Sequence, residues 1–306
     1  MNRLQTKFLG VDFKNPIVTS SGCFGFGLEY RDYFDPNILG GIGIKGLTLE
    51  ARDGNYGTRI AETPAGMLNC VGLENPGIEY FESHILPEMK AAGITTNIIA
   101  NINGKTVDEY VEIAKRADKI KEIAILELNI SCPNVKDGGM AFGANPEVAA
   151  RVTREVRKVT TKPLVVKLSP NVTDIAGIAK IVEENGADAV SLINTLLGMV
   201  IDLKTKKPLL GNTFGGFSGP AVKPVAVRMV YQVYKAVNIP IIGMGGISSV
   251  EDALEFIMAG ASMVSLGTGI FSNPMLPVEV AEGLQKYCEE NGIENISELV
   301  GIAHRQ

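Results

Sequence analysis

The sequence predicts a (β/α)8 barrel of the α/β class. Eight short apolar, β-branched runs alternate with longer segments of helical period, and most of the runs end on a polar or glycine residue. The runs fall at 16–19, 42–45, 97–101, 125–129, 164–168, 189–193, 240–243 and 263–266. Continuous apolar runs indicate strands buried on both faces, and an intervening helix after each makes the sheet parallel. Eight such units over 306 residues favour a closed barrel. An open doubly wound sheet is the alternative, but the glycines of Gly22-Cys23-Phe24-Gly25-Phe26-Gly27 are wrongly spaced for a dinucleotide fingerprint.

Helices are expected at 106–118, 146–159, 173–185, 224–237, 250–259 and 277–290. Asn145-Pro146-Glu147 offers a capping residue followed by proline in the first turn, and Ser249 precedes Glu251-Asp252 in another first turn. Gly186 and Gly260 stand where helices end in the left-handed region. Two connections, 46–96 and 195–220, are long for simple βα turns, and both start at a strand C-terminus, the end where barrels carry their chemistry. No linker composition interrupts the chain, so 1–306 reads as one domain with two elaborated loops.

Composition narrows the function. Hydrophobic residues make up 45% and charged residues 21%, enough for a sizeable core without disulfide staples. Twenty-nine basic against 34 acidic side chains give a net charge of -5, unlike a dedicated nucleic-acid binder. Four cysteines without CxxC spacing argue against a zinc site or a local iron–sulfur cluster, and no metal is expected. The N-terminus lacks an apolar signal core and no run reaches membrane-spanning length, so a reduced cytoplasmic protein without membrane contact is expected.

The strand ends carry the functional signal. The second run ends at Lys45, the third at Asn101 and the fourth at Asn129, the fifth carries Lys167 next to its end, and the sixth leads into Asn194-Thr195. Singly, each is explicable as a turn residue or a snorkelling lysine. Together they form a ring of donors, with two lysines implying an anion or an electron-rich ring. The last two junctions, Gly243-Met244-Gly245-Gly246 and Gly267-Thr268-Gly269, suit a phosphate at helix N-termini; tight-turn glycines are the competing reading. Cys132, in Asn129-Ile130-Ser131-Cys132-Pro133-Asn134, lies beyond a strand and heads a glycine-rich loop. His84 and His304 are the only histidines and neither is near a strand end, so Cys132 suits proton abstraction from a carbon acid better than a Cys–His pairing. Cys23, Cys70 and Cys288 read as small buried hydrophobes.

These motifs resemble dihydroorotate dehydrogenase, specifically the class 1B catalytic subunit, over essentially the whole chain. The resemblance runs through Ser20–Gly27, Lys45-Gly46-Leu47-Thr48, Asn69-Cys70-Val71-Gly72-Leu73-Glu74-Asn75-Pro76-Gly77, the Asn129–Asn134 stretch and the two terminal glycine motifs. It implies one noncovalent FMN per chain, with phosphate on Gly245, Gly246, Gly267 and Thr268, Gly219 nearby, and the flavin lined by Ser21, Lys45, Gly46, Asn101, Asn129, Lys167 and Ile193. Substrate is expected at Lys45, Asn69, Cys70, Val71, Gly72, Leu73, Asn129, Asn194 and Thr195. Cys132 matches the class 1 base, where class 2 has serine and an N-terminal extension. Gly25-Phe26-Gly27 and Val135-Lys136-Asp137-Gly138-Gly139 favour class 1B over the fumarate-using class 1A.

The implied reaction is the oxidation of dihydroorotate to orotate in UMP biosynthesis. It removes a proton from C5 and a hydride from C6, so it needs a base on one face of the ring and the flavin on the other. An unperturbed thiol titrates near ~8.5, a usable base at neutral pH. Lys167 would stabilise the reduced flavin, and Lys45 and the asparagines suit a carboxylate and ring amides. The resemblance further implies a partner subunit carrying FAD and a [2Fe–2S] cluster that delivers electrons to NAD⁺, within a heterotetramer built on a two-fold pair of catalytic chains. A flavin-free phosphate-binding lyase or isomerase and a non-catalytic nucleotide-binding subunit are the rival classes.

Overall fold

The computed structural model describes residues 2–131, 136–137 and 140–305. Eight parallel strands close into a barrel: β1 (Ile17–Thr19), β2 (Gly41–Gly43), β3 (Asn97–Ile102), β4 (Ile123–Asn129), β5 (Leu164–Lys167), β6 (Ala189–Leu192), β7 (Ile241–Met244) and β8 (Met263–Leu266). Each pairs with the next, and Leu266 opposite Thr19 closes β8 onto β1. The expected strands are all present, with ends shifted by one or two residues.

Side-chain alternation along these strands makes two cores. Outward positions such as Ile98, Ala100, Leu126, Leu128, Val166 and Val190 pack against the surrounding helices. Inward positions Val18, Ile99, Ile125, Val165, Ala189, Ile242 and Met263 fill the barrel's lower interior. Phe8 and Phe13 join that inner cluster from an antiparallel hairpin, Thr6–Phe8 with Val11–Phe13, which plugs the N-terminal end. Continuing the same inward faces two residues at a time, the side chains turn polar: Val18 gives way to Ser20, Ile99 to Asn101, Ile125 to Glu127 and Asn129, Val165 to Lys167, and Ala189 to Ser191. An apolar plug below and a polar layer above are thus written into the period-two register.

The helices take the expected caps. Thr106, Asn145, Asp174 and Ser249 each accept a first-turn N–H through the side chain. Gly186 and Gly260 adopt φ of +99° and +124°.

The two long connections differ from an unstructured reading. Ile60–Thr63, Gly66–Asn69, Leu196–Gly198 and Gly215–Ser218 form one antiparallel sheet, ordered 196–198, 215–218, 66–69, 60–63. The connections after β2 and β6 are therefore one element, welded by pairs such as Asn69 with Gly216. Helical segments Gly77–Tyr80 and Leu86–Ala91 complete the first connection.

Candidate active site

The upper interior of the barrel holds a continuous polar chain. Glu127 accepts from Asn101 Nδ2 at 2.6 Å on Oε2 and from Ser191 Oγ at 2.7 Å on Oε1. Lys167 Nζ lies 4.0 Å from Glu127 Oε2, with both side chains buried. Asn101 Oδ1 accepts from Asn103 Nδ2 at 2.8 Å and Asn129 Nδ2 at 3.3 Å. Asn129 Oδ1 accepts from Ser131 Oγ at 2.6 Å, Ser131 Oγ accepts from Asn194 Nδ2 at 2.5 Å, and Asn194 Oδ1 accepts from the Thr195 N–H at 2.8 Å. Side chains from β3, β4 and β6 and the residues just beyond them thus hold one another, with Lys167 of β5 standing beside them. Fixed amides in a buried site offer donors and acceptors whose orientation is already set. Tyr110 supports the ring from outside by donating to the Asn129 carbonyl at 2.7 Å.

The β1 and β2 ends complete the rim. The Lys45 N–H donates to the Gly25 carbonyl at 2.8 Å, and its ammonium has no acidic partner among the described residues. A Cβ on Gly46 would stand 2.7 Å from Asn103 Nδ2 and 3.6 Å from Ser21 Oγ, so Ser21, Gly46 and the asparagine cluster are immediate neighbours. Burial pushes the Cys23 thiol up to about 11, against the pull of the Lys167 and Lys45 ammonium groups. Cys23 is therefore a neutral thiol at neutral pH. The residue as a whole is less covered than Cys70 or Cys288, but its sulfur is buried, in keeping with its reading as a small interior side chain.

The glycine motifs after β7 and β8 form the remaining side. Gly219, Gly245 and Gly246 have φ of +112°, +123° and +82°. A Cβ on Gly246 would meet the Gly219 carbonyl oxygen at 2.7 Å and the Lys223 nitrogen at 2.9 Å, while one on Gly245 would meet Ile193 Cγ1 at 3.1 Å. Gly219, Gly245, Gly246 and Ile193 are thereby brought together. The N–H groups of Gly245, Gly246, Gly267 and Thr268 donate to no described residue. Such a donor set fits a phosphate, and the barrel-mouth asparagines and lysine fit the polar edge of a flavin, so the residues present suit FMN. Asp252 braces this loop, accepting from the N–H and Oγ of Ser248, both at 2.8 Å, and from Lys223 Nζ at 2.7 Å.

Residues 69–73 lie beside the welded sheet. Asn69 Nδ2 donates to the Gly216 carbonyl at 3.4 Å, and a Cβ on Gly216 would run into Thr195 Oγ1, so Asn69 and Thr195 flank one strand. Val71, Gly72 and Leu73 are partly exposed, with Leu73 at φ +60°. The Cys70 side chain instead packs with Ala61, Leu68 and Leu210 beneath the sheet, and its N–H and carbonyl are taken by the Arg59 carbonyl and Asn55 Nδ2, so Cys70 holds the loop in place and is not itself set toward a ligand. Cys132 lies outside the described residues.

Several supporting residues escape sequence reasoning. Glu127 is the lone charge in an apolar strand, Ile-Ala-Ile-Leu-Glu-Leu-Asn, and that isolation is its only signal. Asn55 fixes the 69–73 loop by donating its N–H to the Val71 carbonyl at 2.9 Å and its Nδ2 to the Cys70 carbonyl at 2.8 Å. Asn171 Nδ2 donates to the Thr195 carbonyl at 3.1 Å, while its Oδ1 accepts from the Leu197 N–H at 2.9 Å. Neither asparagine carries a local motif.

Among the described residues no group of three or more His, Cys, Asp or Glu could hold a metal ion, and no helix is long and apolar enough to cross a membrane. A sequence profile described as dihydroorotate dehydrogenase matches residues 3–288. The chain is 63% identical over 305 residues to the protein of Brachyspira hyodysenteriae named dihydroorotate dehydrogenase B (NAD(+)), catalytic subunit, covering 99% of this chain and 100% of that relative. Proteins of the same name from Desulforamulus reducens and Parabacteroides distasonis are 57% and 53% identical, each over 98% of both chains. With a profile match along most of its length and relatives sharing more than half their residues end to end, the chain belongs to the dihydroorotate dehydrogenase family.

Proposed function

We propose that this protein is the catalytic subunit of an NAD⁺-linked dihydroorotate dehydrogenase, oxidising dihydroorotate to orotate in UMP biosynthesis. The observation that carries the reading is the hydrogen-bonded polar chain from Glu127 through Asn101, Asn129 and Ser131 to Asn194, with the Lys167 ammonium 4.0 Å from Glu127, facing a glycine cup of phosphate-binding chemistry.

Gly245, Gly246, Gly267 and Thr268 would hold the FMN phosphate, with Gly219 beside them, and Ser21, Lys45, Gly46, Asn101, Asn129, Lys167 and Ile193 would line the ring. When bound, FMN supplies the acceptor for the two electrons taken from the substrate. Lys167 holds a buried positive charge where negative charge collects during that transfer. Lys45, without an acidic partner among the described residues, is suited to a substrate carboxylate. Asn129 and Asn194, with Asn69 and Thr195, match the alternating donors and acceptors of a cyclic diamide. The sheet welded from residues 60–69 and 196–218 limits water at that side. Cys132 takes the C5 proton as general base.

The onward route is a second subunit carrying FAD and a [2Fe–2S] cluster, assembled in the cytoplasm as two catalytic and two electron-transfer chains. This chain's cysteines lack cluster spacing, which is the reason to look outside it. Comparing electron acceptors tests the assignment. The isolated chain should couple dihydroorotate oxidation to artificial dyes or oxygen, with little turnover on fumarate and none on NAD⁺ until its partner is added. Absence of any dihydroorotate-dependent dye reduction by flavin-loaded protein would refute the activity. Rapid, orotate-competitive fumarate reduction would move it to class 1A.

A further inference from the structure

We infer that Glu127 is a positioning residue that fixes the place of the Lys167 ammonium, and through it the electron affinity of the bound flavin. The inference rests on the flavin reading above and deepens it.

Glu127 occupies an inward position of β4, two residues above Ile125 of the apolar plug and two below Asn129. It is 5% exposed, and among the described residues it is the only buried carboxylate inside the barrel. A carboxylate there is costly unless something charged or strongly donating requires it. Its two oxygens are occupied at short distances by Ser191 and Asn101, donors from β6 and β3. Lys167, from the intervening β5, stands at 4.0 Å, beyond hydrogen-bonding distance. The Lys167 ammonium donates no hydrogen bond to any described residue and has no other acidic partner among them.

This geometry separates two functions that a close ion pair would merge. The negative charge is near enough to offset burial of the ammonium, yet the ammonium's three N–H donors are left for a ligand. Ser191 and Asn101 hold the carboxylate so that it cannot swing onto Lys167 and consume them. Among the described residues the other ionisable groups sharing this end are Cys23, a neutral thiol, and Lys45, a second cation that increases the need for an anion. A pair serving stability alone would gain by closing to direct contact, so the held-apart arrangement favours tuning.

The test uses full-length, flavin-loaded protein and sulfite, which adds to the oxidised ring and leaves negative charge on it, reporting a neighbouring cation without substrate or turnover. Glu127→Gln keeps the side chain's shape but removes the charge. It should weaken sulfite binding by roughly tenfold or more and lower the flavin midpoint potential. Glu127→Asp, which restores the charge, should recover sulfite affinity to within about threefold. In a Lys167→Met background, Glu127→Gln should produce no further weakening, because the cation it supports is gone. Unchanged or tighter sulfite binding in Glu127→Gln, equal loss in both backgrounds, or Asp as impaired as Gln would each overturn the inference. If Gln fails to retain flavin, retention by Asp sustains the role of charge, and loss in both contradicts it. Wild-type protein that carries no flavin would overturn the functional reading itself; flavin-loaded protein indifferent to Glu127→Gln would overturn this inference alone.

Discussion

Asn194 donates through Nδ2 to Ser131 Oγ at 2.5 Å, tying the residues just beyond β6 to the residue immediately before Cys132. Ser131 in turn donates to Asn129 Oδ1 through both its N–H and its hydroxyl. One hydroxyl therefore orients two asparagines proposed to read the substrate ring. Ser131→Ala removes it and leaves the Asn194 amide without its acceptor. The KM for dihydroorotate should rise by roughly threefold to tenfold, the effect of a lost neutral hydrogen bond, with flavin content unchanged. Steady-state kinetics and the flavin-to-protein absorbance ratio check both parts.

The glycine cup gives a comparison between two substitutions. At Gly246 a side chain is excluded by the protein itself: φ is +82°, and a Cβ would stand 2.7 Å from the Gly219 oxygen. Gly246→Ala should lower Tm and lose flavin together. At Gly267 the nearest atom to a Cβ is Ser20 Oγ at 3.5 Å, an ordinary contact, and φ lies outside the left-handed region. Gly267→Ala should keep its apoprotein Tm yet bind FMN roughly tenfold more weakly, as expected for disturbing a charge-assisted hydrogen bond. Full flavin affinity in Gly267→Ala would place the phosphate elsewhere.

Cys132→Ala should retain flavin but slow its reduction by dihydroorotate by about 10² to 10⁴, the range for loss of a positioned base. Cys132→Ser should keep residual activity that moves toward high pH, because a hydroxyl is a far weaker acid than a thiol. Stopped-flow reduction at the wild-type rate in Cys132→Ala would assign the proton to another group.

Asp252 links acidity to the glycine loop after β7, proposed above to hold a phosphate. Burial works against its charged form, but hydrogen bonds from Lys223 and Ser248 outweigh this and hold the carboxyl below its ordinary value of 3.8. Its stabilising contribution is therefore present in full above that value and is lost as pH falls through the lower, folded-state value. Thermal stability should decline below about pH 4, where the unfolded-state carboxyl takes up its proton first. Asp252→Asn should remove roughly 1 to 3 kcal/mol at neutral pH and show a shallower acid dependence. Parallel acid profiles for the two proteins would show that this carboxylate is not the linked group.

The barrel was legible because its strands are buried on both faces, so runs such as Leu164–Lys167 stand out in composition alone. The polar rim was legible for a related reason: a lysine or asparagine ending an apolar run has few structural uses. The welded sheet was not, because its strands are three or four residues long, rich in glycine, and pair Asn69 with Gly216 far along the chain. The N-terminal plug left a faint trace, Phe8-Leu9-Gly10-Val11-Asp12-Phe13, whose turn needs positive φ at Leu9 and Gly10. Glu127 escaped because its value depends on Ser191, Asn101 and Lys167 converging from three other strands, which no local pattern records.

The most direct test of the central claim is an absorption spectrum of the purified chain before and after anaerobic addition of dihydroorotate. A bound flavin should give a band near ~450 nm that bleaches on addition of the substrate, since FMN is the acceptor the reaction requires. A colourless protein, or a flavin band that dihydroorotate leaves unchanged, would contradict the account.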